Sequence, residues 1–507
     1  MEIIGTSNDD TLIGGAENDS ISGLDGDDVL IGNEGRDRLD GDGGNDTLYG
    51  NGGGDLLLGN GGDDHLHGGY GANVLRGGAG DDHYYITGDW TPENEMYEDE
   101  GDGFDTIHSR WFDVDLRDFA NFEAVDLEGS YDVDVRGNEL DNVLEGNRGS
   151  NKLTGDDGND YLLSGDGGGQ GGDDILIGGE GNDTLEARDT RSVRMFGDEG
   201  DDYLDAYWIT DGVFAFGGEG NDTIDISRAD NLFVEGGNGD DLITVRWSTD
   251  DVMIRGGEGN DTITLGDARG FNLVEGGAGD DYYIYDGSRG SIVEAEGEGY
   301  DTVEVTNLSF TLFDNIEALE YHGSRNTVRG NDLDNVIDVY SGNGDLLVWG
   351  DGGNDLITLH DGGISANGGA GNDSIVASGD GNTIRGGSGN DVLRVAGNAG
   401  NATMQGDGGN DIFVLSDSGG IDILDFNGNN DRIRLAGLDN IGDSGALEES
   451  YFHAGTAAQD NDDHIIFDGA TGSLYYDADA NGDAAQVLIA NVTVESGAFD
   501  HSDFVVA

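Results

Sequence analysis

Residues 5–85 read as nine consecutive nonapeptides without a gap: GTSNDDTLI, GGAENDSIS, GLDGDDVLI, GNEGRDRLD, GDGGNDTLY, GNGGGDLLL, GNGGDDHLH, GGYGANVLR and GGAGDDHYY. The form is Gly-Gly-x-Gly-(Asn/Asp)-Asp-x-apolar-x. Its glycine-rich half permits the tight, positive-φ backbone that other residues resist. Its second half alternates polar and apolar, the period of a short strand. Leu12, Ile21, Leu30, Leu39, Leu48, Leu57, Leu66, Leu75 and Tyr84 share one repeat position, which predicts one inward apolar column. A flexible Gly/Asp-rich linker would explain the composition but not that fixed column. Two units make one flattened coil of turn, strand, turn, strand, so residues 18 apart lie about 4.8 Å apart on one edge. The expected class is all-β, a parallel β-helix solenoid.

Position six carries the chemistry. It holds Asp10, Asp19, Asp28, Asp37, Asp46, Asp55, Asp64 and Asp82, interrupted by Asn73. Later motifs place Asp160, Asp174, Asp183, Asp202, Asp222, Asp241, Asp261 and Asp281, then Asp355, Asp373, Asp391 and Asp411, in the same slot. Between stacked turns these carboxylates and the glycine-loop carbonyls predict a hard, all-oxygen cage. Such a cage suits Ca²⁺ better than Mg²⁺, which demands strict octahedra and retains water.

The charge balance agrees. The chain has 107 acidic and 22 basic residues among 507, a formal charge of −85. A compact fold at that charge repels itself. One Ca²⁺ at each of the 20 motifs would offset about 40 charges. Folding is therefore expected to be coupled to metal. The acidity argues against nucleic-acid and anionic-membrane partners. The absence of cysteine excludes disulfides and thiolate zinc sites. No run of 18 apolar residues is present to span a membrane, and the opening MEIIGTSNDD lacks the regions of a cleavable signal.

The chain divides by repeat spacing. Residues 1–86 form a block with motifs on both edges, and 87–136 a calcium-poor module. Residues 137–284 form a second block whose motifs start 19 to 20 residues apart, so that Asp183 to Asp281 stack on one edge. A second calcium-poor module covers 285–329, a third block 330–415, and a C-terminal module 416–507. The two calcium-poor modules are related. YEDEGDGFDTI at 97–107 matches VEAEGEGYDTV at 293–303, FEAVDL at 122–127 matches IEALEY at 316–321, and RGNELDNV at 136–143 matches RGNDLDNV at 329–336. Asn142, Asn151 and Asn335 replace aspartate where blocks restart, so calcium is expected to be weak or absent there.

These residues resemble the RTX (repeats-in-toxin) superfamily. The resemblance implies a right-handed parallel β-roll stabilised by multiple Ca²⁺ ions. IDILDF at 421–426, DRIRL at 431–435, TGSLYYDAD at 471–479 and DFVVA at 503–507 resemble the C-terminal module of members exported by type I secretion. That implies the type I secretion machinery as a partner, a compact β-rich cap, and an extracellular or cell-surface location. Folding outside the cell, where calcium is abundant, would follow from the metal dependence.

Other motifs carry less. Asp477, Asp479, Asn481 and Asp483 give the first half of an EF-hand loop, but its twelfth position is Leu488. The string GDSG at 442–445 imitates a serine nucleophile without a matching context. Trp208 and Trp247, 39 residues apart, are candidate glycan contacts, against the competing reading of aromatics packed across strands. The favoured function is a non-catalytic, calcium-stiffened extracellular scaffold or adhesin, with itself or anionic polysaccharide as partner. The alternative is an enzyme or binding module acting on acidic polysaccharide.

Overall fold

The computed structural model describes residues 1–86, 93–165, 171–248, 251–267, 272–287, 290–340, 345–396, 400–416, 419–480, 482 and 485–507. It falls into two compact units, Met1–Gly276 with Ser288–Gly290, and Gly277–Gly287 with Ser291–Ala507. The described residues contain strands and three short 3₁₀ turns, but no α-helix.

In the first unit consecutive nonapeptides alternate between two parallel sheets. One sheet stacks Glu2–Ile4, Ser20–Asp25, Arg38–Gly43, Leu56–Gly61, Val74–Ala79 and Glu95–Tyr97. The other stacks Thr11–Ile13, Val29–Gly35, Thr47–Gly53, His65–His67 and His83–Ile86, and continues through Thr106–Ser109 and Ala124–Leu127. Leu30 pairs with Leu48 and Leu39 with Leu57, an offset of 18 in each case. From Thr184–Arg188 to Thr223–Ser227 the offset widens to 19 and then 20 residues.

The alternation corrects the expectation of one apolar column. Leu30, Leu48, Leu66 and Tyr84 descend one sheet, while Ile21, Leu39, Leu57, Leu75 and Met96 descend the other, all buried. The interior is thus two facing columns, and each fully buried leucine contributes about 1.5–3 kcal/mol. Leu12, in the first coil, is only half-buried.

Stacking at this distance dictates where glycine must stand. Gly44, at position four, has φ of 131°, and a Cβ there would run into the carbonyl oxygen of Gly26, one coil earlier. No L side chain fits that turn.

The second unit repeats the architecture. One ladder runs through Thr302–Thr306, Ala318–His322, Val336–Tyr340, Leu356–Leu359, Ser374–Ser378, Val392–Ala396, Ile412–Leu415 and Arg432–Leu435. Phe504–Val506 then adds in parallel to Arg432–Leu435, and Val487–Ser496 to Ile421–Asn427 on the facing sheet. Antiparallel pairing with Ser473–Tyr476 and Ile465–Asp468 completes the tail. Both edges of the last coil are covered, which removes an exposed template for strand addition.

Candidate metal centre

The side chains at position six form files. Each position-six N–H donates to the Oδ1 of the position-six residue one coil later: Asp10 to Asp28 at 2.6 Å, Asp28 to Asp46 at 2.7 Å, Asp46 to Asp64 at 2.7 Å and Asp64 to Asp82 at 2.7 Å. On the opposite edge Asp19, Asp37, Asp55 and Asn73 are linked in the same way. A single file then runs Asn142, Asp160, Asp183, Asp202, Asp222, Asp241, Asp261. In the second unit the file is Asn335, Asp355, Asp373, Asp391, Asp411.

Oδ1 is satisfied, whereas the second oxygen is not. In Asp28, Asp37, Asp46, Asp55, Asp64, Asp82, Asp160, Asp183, Asp202, Asp222, Asp241, Asp355, Asp373 and Asp391 the Oδ2 is buried without a hydrogen-bond partner. A buried ionised oxygen left unpaired is costly, so fourteen of them in register call for a common counter-charge. Each orphan points beside the first glycine of its own motif. A Cβ on Gly217, for example, would run into Asp222 Oδ2 and would lie 2.5 Å from the carbonyl oxygen of Gly236 in the next coil. Carboxylate and carbonyl therefore converge on one pocket of oxygen donors.

Burial is the main cause of raised carboxyl pKa values along the files. It pushes Asp46, Asp55, Asp183 and Asp222 up to about 6, Asp82, Asp160, Asp202 and Asp355 up to about 7, and Asp64 up to about 8. The N–H bond to Oδ1 opposes the shift in every case, and for most of them the neighbouring carboxylates reinforce it. A divalent cation between coils would reverse the shift.

The remaining position-six residues differ. Asp261 and Asp281 are buried in the same slot. Asp411 receives the Asp391 N–H at 3.0 Å. Asp10 Oδ2 accepts from Thr6 N–H and hydroxyl at 2.6 and 2.8 Å. Asp19 meets the N-terminal ammonium at 2.6 Å, which holds its carboxyl below the usual range. Asp174 Oδ2 takes the Thr190 hydroxyl at 2.7 Å and so is already partnered. At Asn142, Asn151 and Asn335 the amide oxygen stands beside the motif glycine and accepts the N–H of Asn138, Asn147 and Asn331, each at 2.8 Å. At Asn73, and at Asn382 in the corresponding place before its strand, the amide nitrogen occupies the slot: Asn73 Nδ2 donates to the Gly69 carbonyl at 3.3 Å and Asn382 Nδ2 to the Ser378 carbonyl at 2.6 Å. An N–H there supplies the positive pole internally, so these turns close without a cation.

Two groups escaped the sequence reading. Position five makes a second ladder of opposite polarity, the later coil donating to the earlier: Asp27 N–H to Asp9 Oδ1, Asn45 N–H to Asp27 Oδ1, Asp63 N–H to Asn45 Oδ1. The alternating Asn and Asp at that position were its signal. Asp105, Asp301 and Asp431 extend the position-six files, accepting the N–H of Asp82, Asp281 and Asp411 at 2.9, 2.9 and 3.0 Å. The Gly-x-Gly-x-Asp-Thr strings before Ile107 and Val303 announced two of the three.

Trp208 and Trp247 are exposed and share a column, with Arg228 between them. The Arg228 guanidinium lies 5.3 Å from the Trp208 ring and 5.6 Å from the Trp247 ring. All three residues have left-handed backbone, with φ of 59°, 56° and 58°. In the tail, Asp477 is buried and Asp479 lies in a turn, while Asn481 and Asp483 lie outside the described residues.

A family model described as the RTX calcium-binding nonapeptide repeat (4 copies) matches residues 4–39, 22–57, 58–85, 136–169, 168–189, 214–225, 253–269, 365–393 and 394–417. No curated protein matches the chain.

Proposed function

We infer the function from one premise: the chain is built of RTX nonapeptide repeats, and those repeats bind Ca²⁺ at multiple sites. The position-six aspartates with orphaned Oδ2 atoms, Asp28 to Asp391, are then the carboxylate ligands, and the glycine carbonyls complete each shell. The observation that carries this reading is the register of the orphaned oxygens with the glycine cradles. Ca²⁺ between coils neutralises the files and locks each coil to the next. The protein is exported, folds in calcium outside the cell, and serves as a non-catalytic scaffold or adhesin at the cell surface or in a matrix. Its −85 charge supports this role, because exposed carboxylates bridge through further Ca²⁺ to other copies or to anionic polysaccharide.

Electron microscopy of the full chain in millimolar Ca²⁺ and in chelator, at several concentrations, tests the scaffold. Ordered assemblies that need calcium are expected. Particles that stay single in calcium at every concentration would overturn self-assembly.

One observation favours a second reading, an acidic-polysaccharide surface. Bulky residues rarely accept positive φ, at about 1–2 kcal/mol each, and such strain gathers at binding sites. The Trp208–Arg228–Trp247 column offers indole faces and edges with a cation suited to sugar carboxylates. Retention on a polyuronate resin that falls in Arg228→Ala would support it. Equal retention of the two proteins would count against it.

A further inference from the structure

We propose that the first run of repeats closes on a calcium site of a different composition, in which Glu98 adds a third carboxylate to Asp82 and Asp105. The inference rests on the calcium reading above and extends it to residues outside the nonapeptide pattern. One oxygen from each of the three carboxylates lies within 4.8 Å of the other two. All three residues are buried. Asp82 is 0% exposed, and its Oδ2 has no hydrogen-bond partner.

That orphaned oxygen and Glu98 Oε1 aim at the same place. A Cβ added to Gly77 would run into Asp82 Oδ2 and would sit 2.5 Å from Glu98 Oε1. One coil earlier on the same edge, the place beside Gly59 is bounded by Asp64 Oδ2 and the carbonyl oxygen of Gly77. Glu98 therefore stands where a glycine carbonyl stands in an ordinary turn, and a full negative charge replaces a dipole.

The glutamate is held in that orientation. The N–H of Gly77 reaches Oε1 at 3.2 Å and that of Gly78 reaches Oε2 at 3.3 Å. The Tyr84 hydroxyl bonds Oε1, and the Glu98 carbonyl accepts from Asn121 Nδ2 at 2.9 Å. Asp105 is fixed as the next member of the file, its Oδ1 accepting the Asp82 N–H at 2.9 Å. A depression of about 410 Å³, lined by Arg76, Tyr97, Glu98, Asp99 and Asp102, leads to the cluster from solvent.

The second unit builds the same frame from its own residues. Gly277 N–H reaches Glu294 Oε2 at 3.4 Å and the Tyr283 hydroxyl bonds Oε1. Asn315 Nδ2 donates to the Glu294 carbonyl at 2.8 Å, and Asp301 accepts the Asp281 N–H at 2.9 Å. A frame used twice to hold a buried glutamate is a built arrangement, and in the first unit it brings the glutamate oxygen within 4.8 Å of two file carboxylates.

A third carboxylate around one ion, where the repeat turns offer a glycine carbonyl in its place, raises affinity for divalent cations. This site fills first in a calcium titration and secures the end of the block before the repeat sites saturate.

The test is a Ca²⁺ titration of the chelator-stripped full chain and of Glu98→Gln, which keeps the shape and the acceptor for the Gly77 N–H while removing the charge and the acceptor for Gly78. Wild type is expected to show a tight class of ions from which the variant loses one, or holds it on the order of tenfold more weakly, with the other ions unchanged. Identical counts and affinities would overturn the proposal and leave Glu98 as a hydrogen-bond acceptor only. A wild-type chain that bound no calcium would instead sink the calcium reading itself. Should Glu98→Gln fail to recover its far-ultraviolet circular dichroism in calcium, Tyr84→Phe decides, since it keeps all three carboxylates. Tyrosine-sensitised Tb³⁺ emission should fall in that variant at the first equivalents added. Unchanged early emission would place the first ion elsewhere and refute the assignment.

Discussion

Removing calcium at two different pH values separates the electrostatic account of this fold from one based on packing alone. In the metal-free chain burial pushes file carboxyls above the ordinary aspartate value of 3.8 at positions such as Asp46, to about 6, and Asp202, to about 7. A group with a raised folded pKa binds its proton more tightly folded than unfolded. Its stabilising contribution is complete below about pH 4 and is lost as pH rises through the folded value. At about 1.4 kcal/mol per tenfold, ionising Asp46 inside the fold costs about 3 kcal/mol and Asp202 about 4 kcal/mol. Domain stabilities are only about 5–15 kcal/mol. Four or five such ionisations therefore exhaust the stability of a unit, and each unit carries at least four file aspartates with such shifts, Asp46, Asp55, Asp64 and Asp82 in the first and Asp301, Asp355, Asp391 and Asp411 in the second.

The chelated protein should accordingly be largely unfolded at pH 8 and regain β-structure as pH falls towards 4.5, where protons replace calcium. With calcium present the sign inverts, because the ion binds the ionised form. Affinity should then fall as pH drops below about 7. Circular dichroism and thermal melts in chelator from pH 4.5 to 8, beside matched samples in millimolar calcium, read both limbs. A chelated protein with the same spectrum and melting temperature at pH 8 and pH 4.5 would refute the argument.

Asp202→Asn should lower the calcium count by one or two in equilibrium dialysis yet still fold, because Asn73 and Asn382 show that an amide closes the same turn. An unchanged count would remove Asp202 from the ligand set. Leu57→Ala, between Leu39 and Leu75 in a fully buried column, should cost about 2–5 kcal/mol in calcium-loaded denaturant unfolding. Gly217→Ala should abolish an ion without removing a carboxylate from the sequence, since its Cβ would occupy the cradle between Asp222 and Gly236. Full ion occupancy in that variant would contradict the cradle. Trp208→Gly removes about 1–2 kcal/mol of left-handed backbone strain, so it should melt no lower than wild type while losing polyuronate retention.

Much of the fold was legible because the repeat writes geometry directly into spacing. Leu30 and Leu48 pair at the offset of 18 that two nonapeptides dictate. Asp160 and Asp183 stay in file although their offset is 23, because both carry the intact motif. The split of one sequence column into two structural ones was a matter of parity, with Leu39 and Leu48 one repeat apart and so on opposite sheets. Where the text lacked the motif, pattern failed. Glu98 carries no repeat signature, since its role comes from the coil path that brings it beside Gly77, 21 residues earlier. The tail was harder still, because the strand Val487–Ser496 pairs with Ile421–Asn427 across a long intervening segment, and alternation announces a strand without naming its neighbour. The left-handed backbone of Trp208 was invisible because tryptophan has no preference for it.

The asparagine turns show most clearly what selects metal. Asp55 and Asn73 occupy adjacent coils of one file, and the N–H of Asp55 donates to Asn73 Oδ1 at 2.9 Å. Their backbones follow the same course, and their side chains differ by one group. In Asn73 that group is an amide beside Gly68 that donates to the Gly69 carbonyl at 3.3 Å. In Asp55 it is an oxygen that meets no donor and faces the carbonyl of Gly68 across the flank of Gly50. Oxygen facing oxygen is repulsive unless a cation lies between them, whereas an amide facing oxygen is a bond. A single Asn-to-Asp change therefore converts a self-closed turn into one that folds only with calcium. Asn73→Asp should add an ion to the dialysis count and lower the stability of the chelated protein at pH 8. If the count stays the same and the chelated stability is unaltered, the charge at position six is not what recruits the metal.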